Sequence, residues 1–285
     1  MKFTQRLAIG YIQAKFKVLR LLSKKKTAEK AFELFSTPFL RSKRKTAPEN
    51  AEQLQFTLSL PRQEKDIMIT GYRWNHPGTH KILILHGFGS AAHKFEMYVQ
   101  PLLKKGYEVL AFDAPAHGES SGKRTNAIEY SEMIHKVIER YGPINGFIAH
   151  SFGGIALSLA LEDIPHDEHT KIVFVAPATE TSTAVDHAFT MLKLDDTEVR
   201  KEFENIIMSV SGKPTEWFSM RRIMKKLKAT ILWVHDEEDD ITPLHDAIKV
   251  KEDNHPNINF VITKGLGHRR IYHESDIKKQ VIAFL

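Results

Sequence analysis

From Lys81 to Val175, short apolar runs alternate with longer segments whose apolar residues recur every three or four positions. The runs at 81–85, 107–112, 145–149 and 171–175 are dominated by apolar residues, the pattern of buried strands. The segments around 92–105, 126–141 and 152–162 carry the longer period and read as helices. Such alternation predicts a mostly parallel sheet with helices on both faces. Two more apolar runs, 230–234 and 257–262, continue the series toward the C-terminus. Upstream, 53–60 alternates polar and apolar and ends at Pro61, which predicts a half-exposed edge strand. The stretch 66–74 reads as its hairpin partner.

The alternation fails in two places. Between Pro177 and Lys228 the pattern is helical throughout, with helices expected over 181–194, 197–210 and 216–228. Phe189, Leu192, Phe203, Ile207 and Trp217 are among the residues that supply its apolar faces. The first fifty residues are the other exception. Phe3, Leu7, Tyr11, Phe16, Leu19 and Leu22 fall near helical spacing, with Lys2, Arg6, Lys15, Lys17 and Arg20 among them. This predicts a basic amphipathic helix, followed by Lys24-Lys25-Lys26. Charges interrupt its apolar runs well before the roughly 20 residues that a membrane span needs. The same interruptions argue against a secretory signal. The expected organisation is a basic arm over 1–50, a core of 51–176 and 229–285, and a helical insertion over 177–228.

A chain of 285 residues suffices for one large α/β domain. Its net charge of +6 is unevenly placed, because residues 1–50 hold thirteen Lys and Arg against three Glu. The arm is therefore strongly basic and the remainder mildly acidic. Three readings of the arm stay open: it packs on the core, it lies on an anionic membrane surface, or it binds nucleic acid. No recognised motif supports the last, so no nucleic-acid partner is expected. There is no cysteine, hence no disulfide or thiolate chemistry. That suits the cytosol, and the expected location is cytoplasmic, with peripheral contact at the inner membrane surface left open.

The chemistry is concentrated in the turns after the strands. Ala149-His150-Ser151-Phe152-Gly153-Gly154 joins a strand to a helix, with small residues two places before and after a serine. That is the pattern of a nucleophile elbow, whose tight turn leaves no room for larger flanking side chains. Upstream, the strand at 81–85 runs into His86-Gly87-Phe88-Gly89. The backbone N–H of Phe88 could pair there with that of Phe152 to hold an oxyanion. Downstream, His235 to Pro243 follows one strand and contains five adjacent acids, Asp236 to Asp240. Lys264-Gly265-Leu266-Gly267-His268 follows the last. An acid and then a histidine complete a Ser…Asp…His order, with His268 as base and Asp239 orienting its imidazole. His86, Gly87 and His150 are expected to line the floor of the substrate site. The histidines lack the paired helical spacing of a metal site, and no phosphate-binding glycine loop is present, so neither metal nor cofactor is implied.

These segments together resemble the α/β-hydrolase-fold serine hydrolases. His86-Gly87-Phe88-Gly89 is similar to that family's oxyanion loop. Phe112 to Ser120 resembles its D-x-x-G-H-G-x-S loop, with Ala116 in place of a glycine. His235 to Pro243 resembles its H-G-x-x-D-x-x-x-P segment, with Asp236 in place of the glycine. That register aligns Asp239 with the catalytic acid, while Asp236 and Asp240 remain alternatives. The resemblance covers roughly residue 51 onward. It implies an α/β-hydrolase fold with 177–228 as a small helical cap, and an esterase-like enzyme. The expected activity is hydrolysis of a carboxylic ester or thioester through an acyl-enzyme on Ser151. Two alternatives are a membrane-surface lipase acting on acylglycerol or phospholipid, and a weakly catalytic ligand-binding protein on the same scaffold.

Overall fold

The structure is a computed structural model that describes residues 3–39, 41–42, 48–60 and 65–285, with side chains described from Ile9 onward. The expected strand end at Pro61, and the side chains of Lys2, Phe3, Arg6 and Leu7, lie outside the described residues. Among those described, the helices are α1 (Phe3–Leu22), α2 (Lys24–Phe35), α3 (Glu96–Lys104), α4 (Ala127–Tyr141), α5 (Phe152–Ala160), α6 (Thr181–Leu192), α7 (Thr197–Ser211), α8 (Met220–Met224), α9 (Leu244–Glu252), α10 (Gly267–Arg270) and α11 (Ser275–Phe284). The chain divides into two compact units, Met1–Thr37 with Glu180–Phe218, and Pro38–Thr179 with Ser219–Leu285.

The larger unit is built on eight strands: β1 (Glu52–Leu58), β2 (Ile67–Trp74), β3 (Lys81–Leu85), β4 (Glu108–Phe112), β5 (Gly146–His150), β6 (Lys171–Val175), β7 (Thr230–Asp236) and β8 (Ile258–Thr263). Their order in the sheet is β1-β2-β4-β3-β5-β6-β7-β8. The β1–β2 hairpin is antiparallel, and β2 pairs antiparallel with β4. From β4 to β8 every neighbour is parallel, as in βαβ construction. In β1 the buried residues Leu54, Phe56 and Leu58 alternate with exposed Gln53, Gln55 and Thr57, the half-exposed pattern its sequence predicts.

Side-chain alternation along the central strands serves two layers. Ile82, Ile84, Val109, Ile148, Val173 and Val234 pack with Phe95, Tyr98, Val99 and Leu102 around α3 and with Ile277 and Val281 of α11. The intervening residues Leu83, Leu85, Leu110, Phe147 and Phe174 are equally buried. Helix α4 begins where its sequence predicts, with the Asn126 side chain accepting from the N–H groups of Ile128 and Glu129 at 3.0 Å each. Strand order reverses direction at β3, which lies between β4 and β5. A crevice outside the carboxyl ends at such a point is where open α/β sheets bind ligands. The loops after β3 and β5 carry His86–Gly89 and Ser151.

The smaller unit joins the two stretches that interrupt the strand–helix alternation. Helices α1 and α2 fold with α6 and α7. Phe203 of α7 is fully buried, edge-on to Phe32 and Phe35 of α2 at 5.6 and 5.7 Å and to Phe189 of α6 at 5.3 Å. Lys24 pairs with Asp196, which caps α7 by accepting from the Val199 N–H at 3.1 Å. The third helix expected over 216–228 is instead a short 3₁₀ turn, Thr215–Trp217, followed by α8. Ser219 takes an extended backbone there and caps α8 through the Arg222 N–H, which stops one continuous helix.

Candidate active site

Ser151 sits between β5 and α5 with φ 53° and ψ −119°, a strained backbone of the kind a tight elbow imposes. The neighbouring glycines show why the turn needs small residues. A Cβ at Gly153 would lie 2.8 Å from the carbonyl oxygens of Leu85 and His86, and one at Gly154 would lie 2.6 Å from the Pro177 Cβ. Ala149 fills the third small position, fully buried between Leu85 of β3 and Phe174 of β6.

The turns after β7 and β8 bring two more side chains to this serine. His268 Nε2 lies 3.0 Å from Ser151 Oγ, and His268 Nδ1 lies 2.8 Å from Asp239 Oδ2. All three side chains are buried. Asp239 Oδ1 also accepts from the N–H groups of Ile241 at 2.9 Å and Thr242 at 2.8 Å. Burial pushes the Asp239 carboxyl up. The bond and charge of His268 and the two backbone donors outweigh it, so its pKa is lowered and it stays ionised. Of the adjacent acids, Asp240 is exposed, whereas Asp236 is buried and bonded to the loop before His268. The acid that meets His268 is therefore Asp239.

Around the serine, the loop after β3 is braced by two neutral histidines. His86 Nδ1–H donates to the Gly87 carbonyl at 2.8 Å, and its Nε2 accepts from the Ala114 N–H at 3.0 Å. His117 Nδ1–H donates to the Pro115 carbonyl at 2.9 Å, and its Nε2 accepts from the Gly89 N–H at 2.9 Å. Burial pushes His86 down to about 4 and His117 down to about 3, so both remain acceptors at neutral pH. Gly87 passes so close to the elbow that a Cβ there would lie 2.9 Å from the Ser151 Cβ. Phe88 follows, with its ring edge-on to Phe152 at 5.4 Å and to His117 at 5.3 Å. Phe152 is the first residue of α5, where a backbone N–H has no acceptor within the helix.

His150, expected with His86 and Gly87 in the floor, packs against the rings of His268 at 4.8 Å and Tyr272 at 4.6 Å. Its Nε2–H donates to the His268 carbonyl at 3.2 Å. Burial, with the His268 charge second, pushes it down to about 3. Through their bonded ring nitrogens His86 and His150 brace the β3 loop and the His268 backbone, while His150 Nδ1 is buried and without a hydrogen-bond partner among the described residues. Among the described residues no group of three His, Cys, Asp or Glu is arranged to hold a metal ion.

The description "Alpha/beta hydrolase family" belongs to the sequence pattern that matches residues 82–283, from β3 to the last helix. The chain belongs to the alpha/beta hydrolase family. This hydrolase is 22 % identical over 231 residues to a Mycoplasma pneumoniae protein assigned as esterase/lipase 2, covering 70 % of this chain and 85 % of that protein. The Bacillus subtilis hydrolase YugF is 33 % identical over 94 residues, 31 % of this chain and 34 % of its own. Among solved structures, the Pyrococcus furiosus esterase Pf2001 superposes with a TM-score of 0.64 at 20 % identity, covering 86 % of this chain and 96 % of that one. The Exiguobacterium antarcticum esterase EaEST gives 0.58 at 18 % identity over 76 % and 95 %. At such identity the two structures speak for the fold.

Three residues of the hydrolase's site have a role that the sequence does not show. Thr242 Oγ1 stands 2.9 Å from Asp239 Oδ2, 3.0 Å from His268 Nδ1 and 3.1 Å from the Ala176 carbonyl. His117 is the histidine of the Phe112–Ser120 motif, with no sign in the sequence that it holds Gly89. Asp236 reads as a departure from the motif's glycine and as an alternative catalytic acid, with no sign that it ties two loops. No local pattern shows these contacts, because each is made across loops that only the sheet brings together.

Proposed function

We propose that the hydrolase cleaves a carboxylic ester or thioester through an acyl-enzyme on Ser151. The observation that carries this is the buried chain from Ser151 Oγ to His268 Nε2 at 3.0 Å and from His268 Nδ1 to Asp239 Oδ2 at 2.8 Å. Ser151 Oγ attacks the substrate carbonyl as His268 Nε2 takes its proton. Asp239 stays ionised and stabilises the imidazolium. The N–H groups of Phe88 and Phe152 receive the oxyanion as the tetrahedral intermediate forms. Its collapse expels the alcohol or thiol, which leaves with the proton from His268. Water then attacks the acyl-enzyme, with His268 again as base, and releases the acid. The names of the Mycoplasma, Pyrococcus and Exiguobacterium proteins support an ester as the substrate class.

A fluorophosphonate probe tests this reading, with wild type beside Ser151→Ala and a p-nitrophenyl ester chain-length series on the wild type. Labelling lost in the variant, together with ester turnover, supports it. A folded wild type that neither labels nor turns over leaves the ligand-binding alternative in its place.

One observation favours a second element, action at a membrane surface. Tyr11, Val18, Leu21 and Leu22 of α1 are exposed, Leu21 and Leu22 by 78 and 76 %. At a helical 100° per residue these four and Ala14 form one stripe roughly 100° wide, flanked by Lys15 and Lys17. Phe16, with Ile12 and Leu19, lies on the opposite, less exposed face. Two apolar stripes on one helix, the outer one bordered by lysine, suit an anionic bilayer. A cytoplasmic protein with α1 at the inner membrane surface fits this reading. The full chain should sediment with phosphatidylglycerol vesicles and not with phosphatidylcholine ones, and Leu21→Asp/Leu22→Asp should release it. Equal sedimentation of the variant would remove the membrane from the account.

A further inference from the structure

Asp236 is the last residue of β7, fully buried, at the position where the resembling hydrolases carry glycine. It faces Thr263, the last residue of β8, in parallel register. Its carboxylate receives four donors. Oδ2 accepts from Thr263 Oγ1 at 2.6 Å and from the Leu266 N–H at 3.0 Å. Oδ1 accepts from the Gly267 N–H at 2.8 Å and the Glu238 N–H at 3.0 Å. Four is about the number of acceptor sites a carboxylate offers, so the group is fully engaged.

The placement of those donors matters more than their number. Glu238 immediately precedes Asp239, and Gly267 immediately precedes His268. One side chain thus grips both loops a single residue before each member of the acid–base pair. At their roots the two loops are also tied by the Glu237 N–H, which donates to the Thr263 carbonyl at 2.8 Å, and by the exposed Lys264–Glu237 ion pair at 3.5 Å. Burial pushes the Asp236 carboxyl up, but its four hydrogen bonds reverse that and hold it below the usual carboxylate range. It is therefore a charged acceptor, and hydrogen bonds to a charged acceptor are shorter and stiffer than neutral ones.

We infer that Asp236 is a positioning residue, which sets the separation of Asp239 and His268 by clamping the acid loop to the histidine loop. The inference rests on the reading of Ser151, His268 and Asp239 as a triad. A glycine at this position leaves the two loops to be held by other contacts. In this chain the clamp is ionic and has no slack, because all four donors are on the main chain or on the neighbouring strand.

Asp236→Asn tests it, since the amide keeps one acceptor oxygen and turns a donor toward the N–H of the other loop. Ester turnover should fall about 10- to 100-fold in kcat, as for a catalytic group displaced by about 1 Å, with KM within about threefold. A second readout does not need turnover. The proton between His268 Nδ1 and Asp239 should give a resonance far downfield in the one-dimensional proton spectrum of the wild type. It should shift or broaden in Asp236→Asn while the amide spectrum stays dispersed. Thr263→Val, which removes one donor and leaves the loop-to-loop grip, should change kcat by less than about threefold. An unchanged downfield proton in a folded Asp236→Asn overturns the inference, whatever the activity. A wild type without ester turnover would instead count against the esterase reading, and the proton spectrum would still decide whether Asp236 sets the pair.

Discussion

Ser151→Ala should lower kcat by on the order of 10⁴- to 10⁶-fold, and Asp239→Asn by about 10⁴-fold through the wrong imidazole tautomer. Initial rates on a p-nitrophenyl ester check both. Asp240→Asn, on an exposed carboxylate that does not meet His268, should leave the rate within about twofold. A loss in Asp240→Asn comparable to that in Asp239→Asn would contradict the assignment. Ala116 offers a stability test at the same scale. It stands where the resembling loop has glycine, is fully buried, and has φ 64°. An L side chain in that region is strained, so Ala116→Gly should stabilise the larger unit by about 0.5–1 kcal/mol. Denaturant unfolding gives the sign. A lower midpoint would mean that packing of the Ala116 methyl outweighs the relief of strain.

Among elements, the contact of α2 with α7 is the one least expected from the chain order, since 150 or more positions separate the partners. The aromatic cluster of Phe32, Phe35, Phe189 and Phe203 replaces a separate arm and a separate insertion by one packed unit. Phe203→Ala should cost about 3–5 kcal/mol, as for a fully buried aromatic. Limited proteolysis should then cut within 3–37 and 180–218 while 65–179 and 219–285 resist. Cleavage spread evenly over the chain would mean that the two units do not open separately. The amphipathic period of α1 and α7 is legible in the sequence, but not which helix each apolar face meets. Periodicity gives the direction of a stripe and is silent about its partner. The same limit explains 216–228, where apolar spacing suggested one helix and the Ser219 cap divides it.

For the whole molecule, acid is the informative variable. His86 is held down at about 4, and His117 and His150 at about 3, mainly by burial. In the unfolded chain a histidine titrates near 6.5. Their folded pKa values are depressed, so below pH 6.5 the unfolded chain binds protons that the folded chain refuses. The stability they allow is full above that pH and is lost as pH falls toward 4 and 3. In that window each contributes about 1.4 kcal/mol per pH unit. Calorimetric midpoints should therefore drop steeply between pH 6.5 and 4, and His117→Gln should flatten the fall. A midpoint independent of pH over that range would show that these imidazoles are not buried as neutral groups.

The sequence by itself determined the strand–helix alternation, the elbow around Ser151, and the turns that carry Asp239 and His268. It did so because these features are local: an apolar run or a period of three to four residues, a run of small residues, a glycine before a histidine. It also fixed the uneven charge, which is a matter of counting. The motif register pointed to Asp239, and tertiary structure chose it over Asp236 and Asp240, since neighbours in a turn point in different directions and β7 and β8 in register bring only one of them to His268. It decided likewise that His86 and His117 brace a loop as neutral acceptors, because their state depends on burial. And it decided that Asp236, an alternative acid in the sequence, lies buried between two loops that are 30 residues apart along the chain.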